Sequence, residues 1–124
     1  MARVETIVPD TVAATFFGAP PPGGCPVQRA IDAIADKWKL RILLELMRGD
    51  VVRFRELQRR LDGVSQKVLT SALRELEHDG LVARTAYAEK PPRVEYRPTA
   101  RTRALFPILA ELQRWAEAAE TAAP

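Results

Sequence analysis

The stretch Ser65–Leu76, S-Q-K-V-L-T-S-A-L-R-E-L, most narrows what this chain can fold into. Val68, Leu69, Ala72, Leu73 and Leu76 recur at the spacing of a helix buried along one stripe. Gln66, Lys67, Thr70 and Arg74 fall on the opposite side, with Ser71 at the boundary. That outer side offers hydrogen-bond donors and positive charge, with no acid before Glu75. Ser65 is placed as an N-cap, because its hydroxyl can accept from a free amide of the first turn. Asp62-Gly63-Val64 separates this segment from another apolar-periodic one, marked by Phe54, Leu57 and Leu61. Helix, short glycine-containing turn, helix is the helix-turn-helix pattern, whose second helix enters a DNA major groove.

A chain of 124 residues with 47% hydrophobic residues is expected to build one core and one domain. Its net charge of +3 is unevenly placed. Between Val51 and Arg103 stand 12 Lys/Arg against 7 Asp/Glu, whereas from Ala104 onward Arg114 stands against Glu111, Glu117 and Glu120. The basic part coincides with the suspected helix-turn-helix, which favours nucleic acid as the partner. No apolar run approaches the ~20 residues of a membrane span, and no charged-then-apolar leader opens the chain, so a cytoplasmic protein without a membrane role is expected. The lone cysteine, Cys25, excludes an intrachain disulfide and a cysteine-rich zinc site, and His78 has no second ligand near it in sequence. His78 is expected as a surface residue at a helix end. No metal and no cofactor are expected. Without a Ser/His/Asp set, a glycine-rich phosphate loop or a carboxylate pair near His78, the chain is not expected to be an enzyme.

Residues 1–24 are expected to form a flexible arm, since Ala19–Gly24, A-P-P-P-G-G, suits neither helix nor central strand. Its apolar residues, among them Val4, Ile7, Phe16 and Phe17, leave open a docking segment or a loose tail. The folded part is placed at 25–124. Pro26 suits a first helical turn, and Val27, Ala30, Ile31 and Ile34 stripe a helix to about Ala35. A second helix is expected over Lys37–Met47 with Trp38, Ile42, Leu43, Leu46 and Met47 buried, ending at Gly49-Asp50. Gly80 closes the helix that begins after Ser65. The period then changes. Residues 81–87 are strand-like, 88–92 form a turn, and Arg93–Arg97 alternates, with Val94 and Tyr96 on one face and Arg93, Glu95 and Arg97 on the other. A hairpin directly after the second helix of a helix-turn-helix is a wing. The fold class is therefore mainly α with a small β-hairpin, a winged helix-turn-helix. A last helix, at about 99–121 with Thr99 as N-cap, carries Leu105, Ile108, Leu112, Trp115 and Ala119 in the a/d rhythm of a helix seam. It either closes the core or meets its copy, and a dimer is favoured. Pro107 is expected to kink it or to mark a tight first turn.

The order C-P-V, D-K-W-K-L-R-I-L, R-F-R-E-L, G-V-S-Q-K-V-L-T-S-A-L-R-E-L-E-H-D-G-L-V-A-R and P-P-R-V-E-Y resembles the HxlR-type winged-helix transcriptional regulators of bacteria, over about Cys25 to Trp115. The resemblance implies a homodimeric regulator of transcription, here expected as a repressor on an inverted repeat, with N- and C-terminal helices in the dimer interface. It also implies that Cys25 is either an oxidant or electrophile sensor, as in some members, or a structural cysteine. The chain departs from the family pattern at Asp36 and Thr102, each in place of Gly, and at Pro98 in place of Leu. Pro98 is expected to shorten the second strand, and Thr102 to remove a flexible point.

The expected division of labour follows from side-chain chemistry. Gln66, Lys67, Thr70, Ser71 and Arg74 face the major groove, where Lys and Arg suit guanine O6/N7, Gln suits adenine and Thr can touch a thymine methyl. Ser65, Arg53 and Arg55 hold phosphates, and Lys90 and Arg93 on the wing reach backbone or minor groove. Leu105, Ile108, Leu112 and Trp115 form the dimer seam. The alternatives are a winged-helix protein-interaction module, and an RNA binder, against which the few aromatics stand at core spacing.

Overall fold

The structure, a computed structural model, describes residues 24–122. The arm expected over 1–24 lies outside them except for Gly24. Helix α1, Pro26–Ile34, belongs to a unit separate from the one formed by Ala35 and all that follows. Its stripe is real but not buried: Val27 and Ile31 are each 45% exposed.

The second unit holds the remaining elements: α2 (Lys37–Gly49), β1 (Val52–Arg53), α3 (Phe54–Arg60), α4 (Gln66–His78), β2 (Val82–Tyr87), β3 (Arg93–Pro98) and α5 (Ala100–Ala122). The three strands form one antiparallel sheet in the order β1-β3-β2. Strand β1 was not expected; two residues are too few to display an alternation. It pairs Val52 with Tyr96 and Arg53 with Glu95, so the hairpin is anchored at its root by the chain that leads into α3. Pro98 does not shorten β3. It ends the strand opposite Val82, beyond the reach of β1, where no neighbour on that side needs its missing amide.

The core is built from Ile42, Leu43 and Leu46 of α2, Leu57 and Leu61 from α3 and its end, Leu69, Leu73 and Leu76 of α4, and Val52, Val82 and Tyr96 of the sheet. Asp36, in place of the family glycine, caps α2 by accepting from the amides of Trp38 and Lys39 at 2.9 and 3.1 Å. Trp38 and Met47 are half-buried rather than buried; Lys37 and Arg41 lie over the Trp38 ring. Helix α2 runs through Gly49 and stops at Asp50, whose φ of 62° and ψ of −67° belong to a γ-turn closed by the Val51 amide on the Gly49 carbonyl at 2.7 Å. A β-carbon at Gly49, the first residue of that turn, would come within 3.2 Å of Val52 and 3.3 Å of Arg60, a space that glycine suits best. Arg103 of α5 pairs with Asp50 at 2.8 Å.

Helix α5 continues through Pro107, which lies past its first turn and leaves the Arg103 carbonyl without an intrahelical donor. Its first residues clamp the loop between α4 and β2. Arg101 donates to the Asp79 carbonyl at 2.7 Å, Thr99 to Gly80 at 2.7 Å and Thr102 to Leu81 at 2.6 Å. Thr99 also accepts from the Thr102 amide at 3.4 Å, as an N-cap should. Thr102 is fully buried, so it is an anchor rather than a lost hinge. None of the a/d positions enters the core: Leu105 sits at the boundary and Ile108, Leu112 and Trp115 are 62%, 52% and 72% exposed, while Leu109, off that register, is the buried residue. Thr102→Val keeps the volume of the side chain and removes its hydroxyl. It is expected to cost about 1 kcal/mol, because the Leu81 carbonyl retains the Thr99 amide at 3.3 Å. Urea unfolding should show a lower midpoint with an unchanged slope.

Candidate nucleic-acid interface

The turn between α3 and α4 depends on Gly63, whose φ of +87° L-residues with a β-carbon disfavour. The turn closes with the Val64 amide on the Leu61 carbonyl at 3.2 Å, and Val64 is buried as a plug. Ser65 then caps α4, accepting from the Val68 amide at 3.1 Å. Leu69, Ala72, Leu73 and Leu76 face inward, as their spacing predicts. Val68 does not: it is 40% exposed. At 100° per residue it lies about 90° from the centre of that stripe, on the edge of the outer face.

The outer face of α4 presents Gln66, Lys67, Thr70, Ser71 and Arg74 along one open depression. A second depression shares Gln66, Thr70 and Arg74 and runs to the sheet, where Phe54, Glu77, Arg84, Val94 and Tyr96 complete it. A third shares Phe54 and Val94 and continues to Arg53, Arg55 and the wing tip, Glu89–Arg93. The structure thus brings all the expected α3, α4 and wing residues but Ser65 onto a surface of linked depressions, with Ser65 at the head of α4. The Lys90–Pro91 bond at the tip is cis.

Pairing distinguishes the cations. Arg59 and Arg60 hold Glu56 at 2.5 and 2.9 Å. They pull its carboxyl below the usual carboxylate range, Arg59 more than Arg60. A depressed carboxyl stabilises α3 above its unfolded pKa, and that contribution fades as pH falls through the lowered value. Lys39 of α2 binds Glu75 at 2.8 Å, which raises the Lys39 pKa through the hydrogen bond first and masks the acid beside the outer face of α4. Since a raised lysine pKa contributes below its unfolded value and is lost only above the folded one, this pair is intact throughout the neutral range. Arg93 is engaged within the wing. Its guanidinium stacks 3.9 Å from the Tyr87 ring centre and pairs with Glu89 at 3.1 Å and Glu95 at 3.9 Å. By contrast, Arg53, Arg55, Lys67, Arg74, Arg84 and Lys90 are exposed and have no ion pair, hydrogen bond or ring contact among the described residues. They are the described cations of which this holds, and each lines one of the three depressions.

Arg84 was missed from the sequence. Its strand alternates imperfectly, and the cue was its partner: it pairs directly with Tyr96, on the face turned to α4. Cys25 is a free, half-buried thiol just before α1. His78 is exposed at the end of α4. No group of metal-binding residues occurs among the described residues, and no described helix is long and apolar enough to cross a membrane.

Gly63→Ala meets no atom within 4 Å, so its cost is backbone strain alone. About 1–2 kcal/mol is expected, read as a lowered thermal midpoint. Ser65→Ala should cost about 1 kcal/mol through the lost cap.

Comparison with known proteins agrees with this geometry. The HxlR-like helix-turn-helix family model matches residues 33–123. An uncharacterized HTH-type transcriptional regulator of Methanothermobacter thermautotrophicus is 44% identical over 91 residues, 73% of this chain and 69% of that protein. Among solved structures, the redox regulator HypR in its oxidized form superposes with a TM-score of 0.67 at 40% identity, covering 76% of this chain and 96% of HypR. The reduced form of the transcriptional regulator YodB from Bacillus subtilis gives 0.67 at 34% identity, covering 75% and 91%. With its winged fold and a family match that spans α2 to α5, this chain belongs to the HxlR-like helix-turn-helix family of transcriptional regulators.

Proposed function

We propose that the protein is a sequence-specific DNA-binding regulator that acts in the cytoplasm as a homodimer on an inverted repeat, as a repressor. The observation that carries this reading is the gathering of the unpartnered cations on one surface, from the outer face of α4 to the wing tip. Helix α4 enters the major groove with Gln66, Lys67, Thr70, Ser71 and Arg74 toward the bases, as the bidentate chemistry of these side chains favours. Ser65, Arg53 and Arg55 hold phosphates at its entrance. Lys90 supplies the charge at the wing tip, whereas Arg93 gains a DNA contact only by exchanging Glu89 or Glu95 for it. The interaction-module reading is separated from this one by salt: a DNA binder shows a steep fall of DNA affinity with salt, and an interaction module does not.

The exposed stripe Ile108, Leu112 and Trp115, with Leu105 at its edge, supports pairing of two copies through α5. Two heads then read half-sites about one or two helical turns apart. The neighbours HypR, a redox regulator, and YodB, a transcriptional regulator solved in a reduced form, support a thiol-responsive reading for Cys25, with oxidation altering operator affinity.

Footprinting on DNA flanking the protein's own gene, with and without oxidant, tests the reading as a whole. Two protected half-sites are expected, with occupancy changed by oxidant in the wild type and not in Cys25→Ser. Arg74→Ala should lose about 1–3 kcal/mol on the selected site and relax specificity at one position. An unchanged ratio of cognate to scrambled affinity would remove its base-reading role. Leu112→Glu should shift the protein from dimer to monomer in sedimentation and weaken operator binding; a dimer that survives it places the interface elsewhere.

A further inference from the structure

Between α4 and the sheet lies an open cleft of about 500 Å³ lined by Phe54, Gln66, Thr70, Arg74, Glu77, Arg84, Val94 and Tyr96. Arg84 and Tyr96, facing each other across the sheet, are among its polar groups with no task within the protein. Arg84 is exposed and unpaired. Tyr96 is only 6% exposed, but its hydroxyl is not among the buried unsatisfied atoms: it opens on the cleft, with no hydrogen-bond partner among the described residues. A phenol hydroxyl that opens on a cleft and is used by no protein group is free to exchange water for a ligand's oxygen. The pair Arg84↔Tyr96 lies directly across β2 and β3, which sets their side chains on one face with β-carbons about 4.5–5.5 Å apart. A guanidinium and a phenol at that spacing are both donors to one anionic oxygen group. Glu77 is the single acid on the lining, against the guanidiniums of Arg74 and Arg84, so the lining stays positive.

This inference rests on the DNA-binding reading and specifies it. A protein that sets a helix in the major groove and a hairpin in the adjacent minor groove must pass the sugar-phosphate strand that separates them. The surface between α4 and the wing is this cleft. We propose that Arg84 and Tyr96 together hold one phosphate of that strand. They thereby fix how deep α4 enters and at what angle the wing tip meets the neighbouring groove. Both are positioning residues: they carry no sequence information themselves.

The test is fluorescence anisotropy of the full-length chain on a labelled mixed-sequence DNA duplex across a potassium chloride series. Arg84→Ala should lower the slope of log affinity against log salt by ~0.9, the share of one phosphate. Its preference between two duplex sequences should not change. Arg84→Lys should restore the slope. Tyr96→Phe keeps the ring and should leave the slope alone while weakening binding about tenfold. A wild-type slope in Arg84→Ala, or wild-type affinity in Tyr96→Phe, overturns the assignment while leaving DNA binding in place. Should the wild-type chain itself show no salt-dependent binding, the assignment falls together with the reading it rests on. Arg84 has no partner to lose, so Arg84→Ala should melt as the wild type does, and circular dichroism can verify it.

Discussion

Three consecutive backbone carbonyls, those of Asp79, Gly80 and Leu81, hold the architecture in register. They lie where the chain leaves α4 and turns into the wing, and each receives a side-chain donor from the first turn of α5 or its cap. A loop between a helix and a strand would otherwise leave these acceptors to water and be free to pivot. Here Arg101, Thr99 and Thr102 fix the angle between the helix and the hairpin. Gly80, at a φ of +73°, supplies the left-handed step that aims the carbonyls toward α5. Since α5 also carries the exposed apolar stripe, the element that sets the geometry of one head is the one through which two heads would be joined. Spacing between half-sites and the tilt of each α4 would then share one rigid part.

The hairpin is held from its other side by β1. Pairing of Val52 with Tyr96 and of Arg53 with Glu95 ties the wing to the start of α3. Arg53 is at once a strand residue, the residue before α3 and part of the cleft at the wing tip. Helix α3, the wing and α4 therefore present their cations from one framework, and a groove-reading surface needs such fixed relative positions more than it needs any single contact.

The parts legible in the sequence are those with a long enough period. Helix α4 shows three turns of spacing between two punctuating residues, Ser65 and Gly80, and its inner stripe lies as predicted except at its margin, Val68. The wing is legible because Val94 and Tyr96 alternate with Arg93, Glu95 and Arg97. Strand β1 is not, since two residues carry no period. The stripe of α5 is visible, but periodicity does not say which apolar side meets which neighbour: Leu109, one position from Ile108, enters the core while Ile108 does not. Arg84 was hidden for a related reason. Whether a strand arginine is solvated, paired or left available depends on its cross-strand neighbour, and that is a property of register rather than of local sequence.

The same distinction governs the charge. A net +3 is small, and a count of arginines over α3 would place Arg59 and Arg60 in the foreground. Both are held by Glu56, as Arg93 is by Glu89 and Glu95, Arg103 by Asp50 and Arg114 by Glu111. Most of these paired acids neutralise cations away from the surface of linked depressions, and Lys39 in turn masks Glu75, an acid beside the outer face of α4; Glu77, in the cleft, and Glu89, at the wing tip, are the acids that line that surface itself. What is left unneutralised is a band through Lys67, Arg74, Arg84, Arg53, Arg55 and Lys90. An exposed ion pair adds little to stability, so these pairs are weak as an explanation of the fold. As an explanation of the surface they are strong: they concentrate a modest net charge into one predominantly positive field, and such a field draws in a polyanion from a distance and orients it before any base is read.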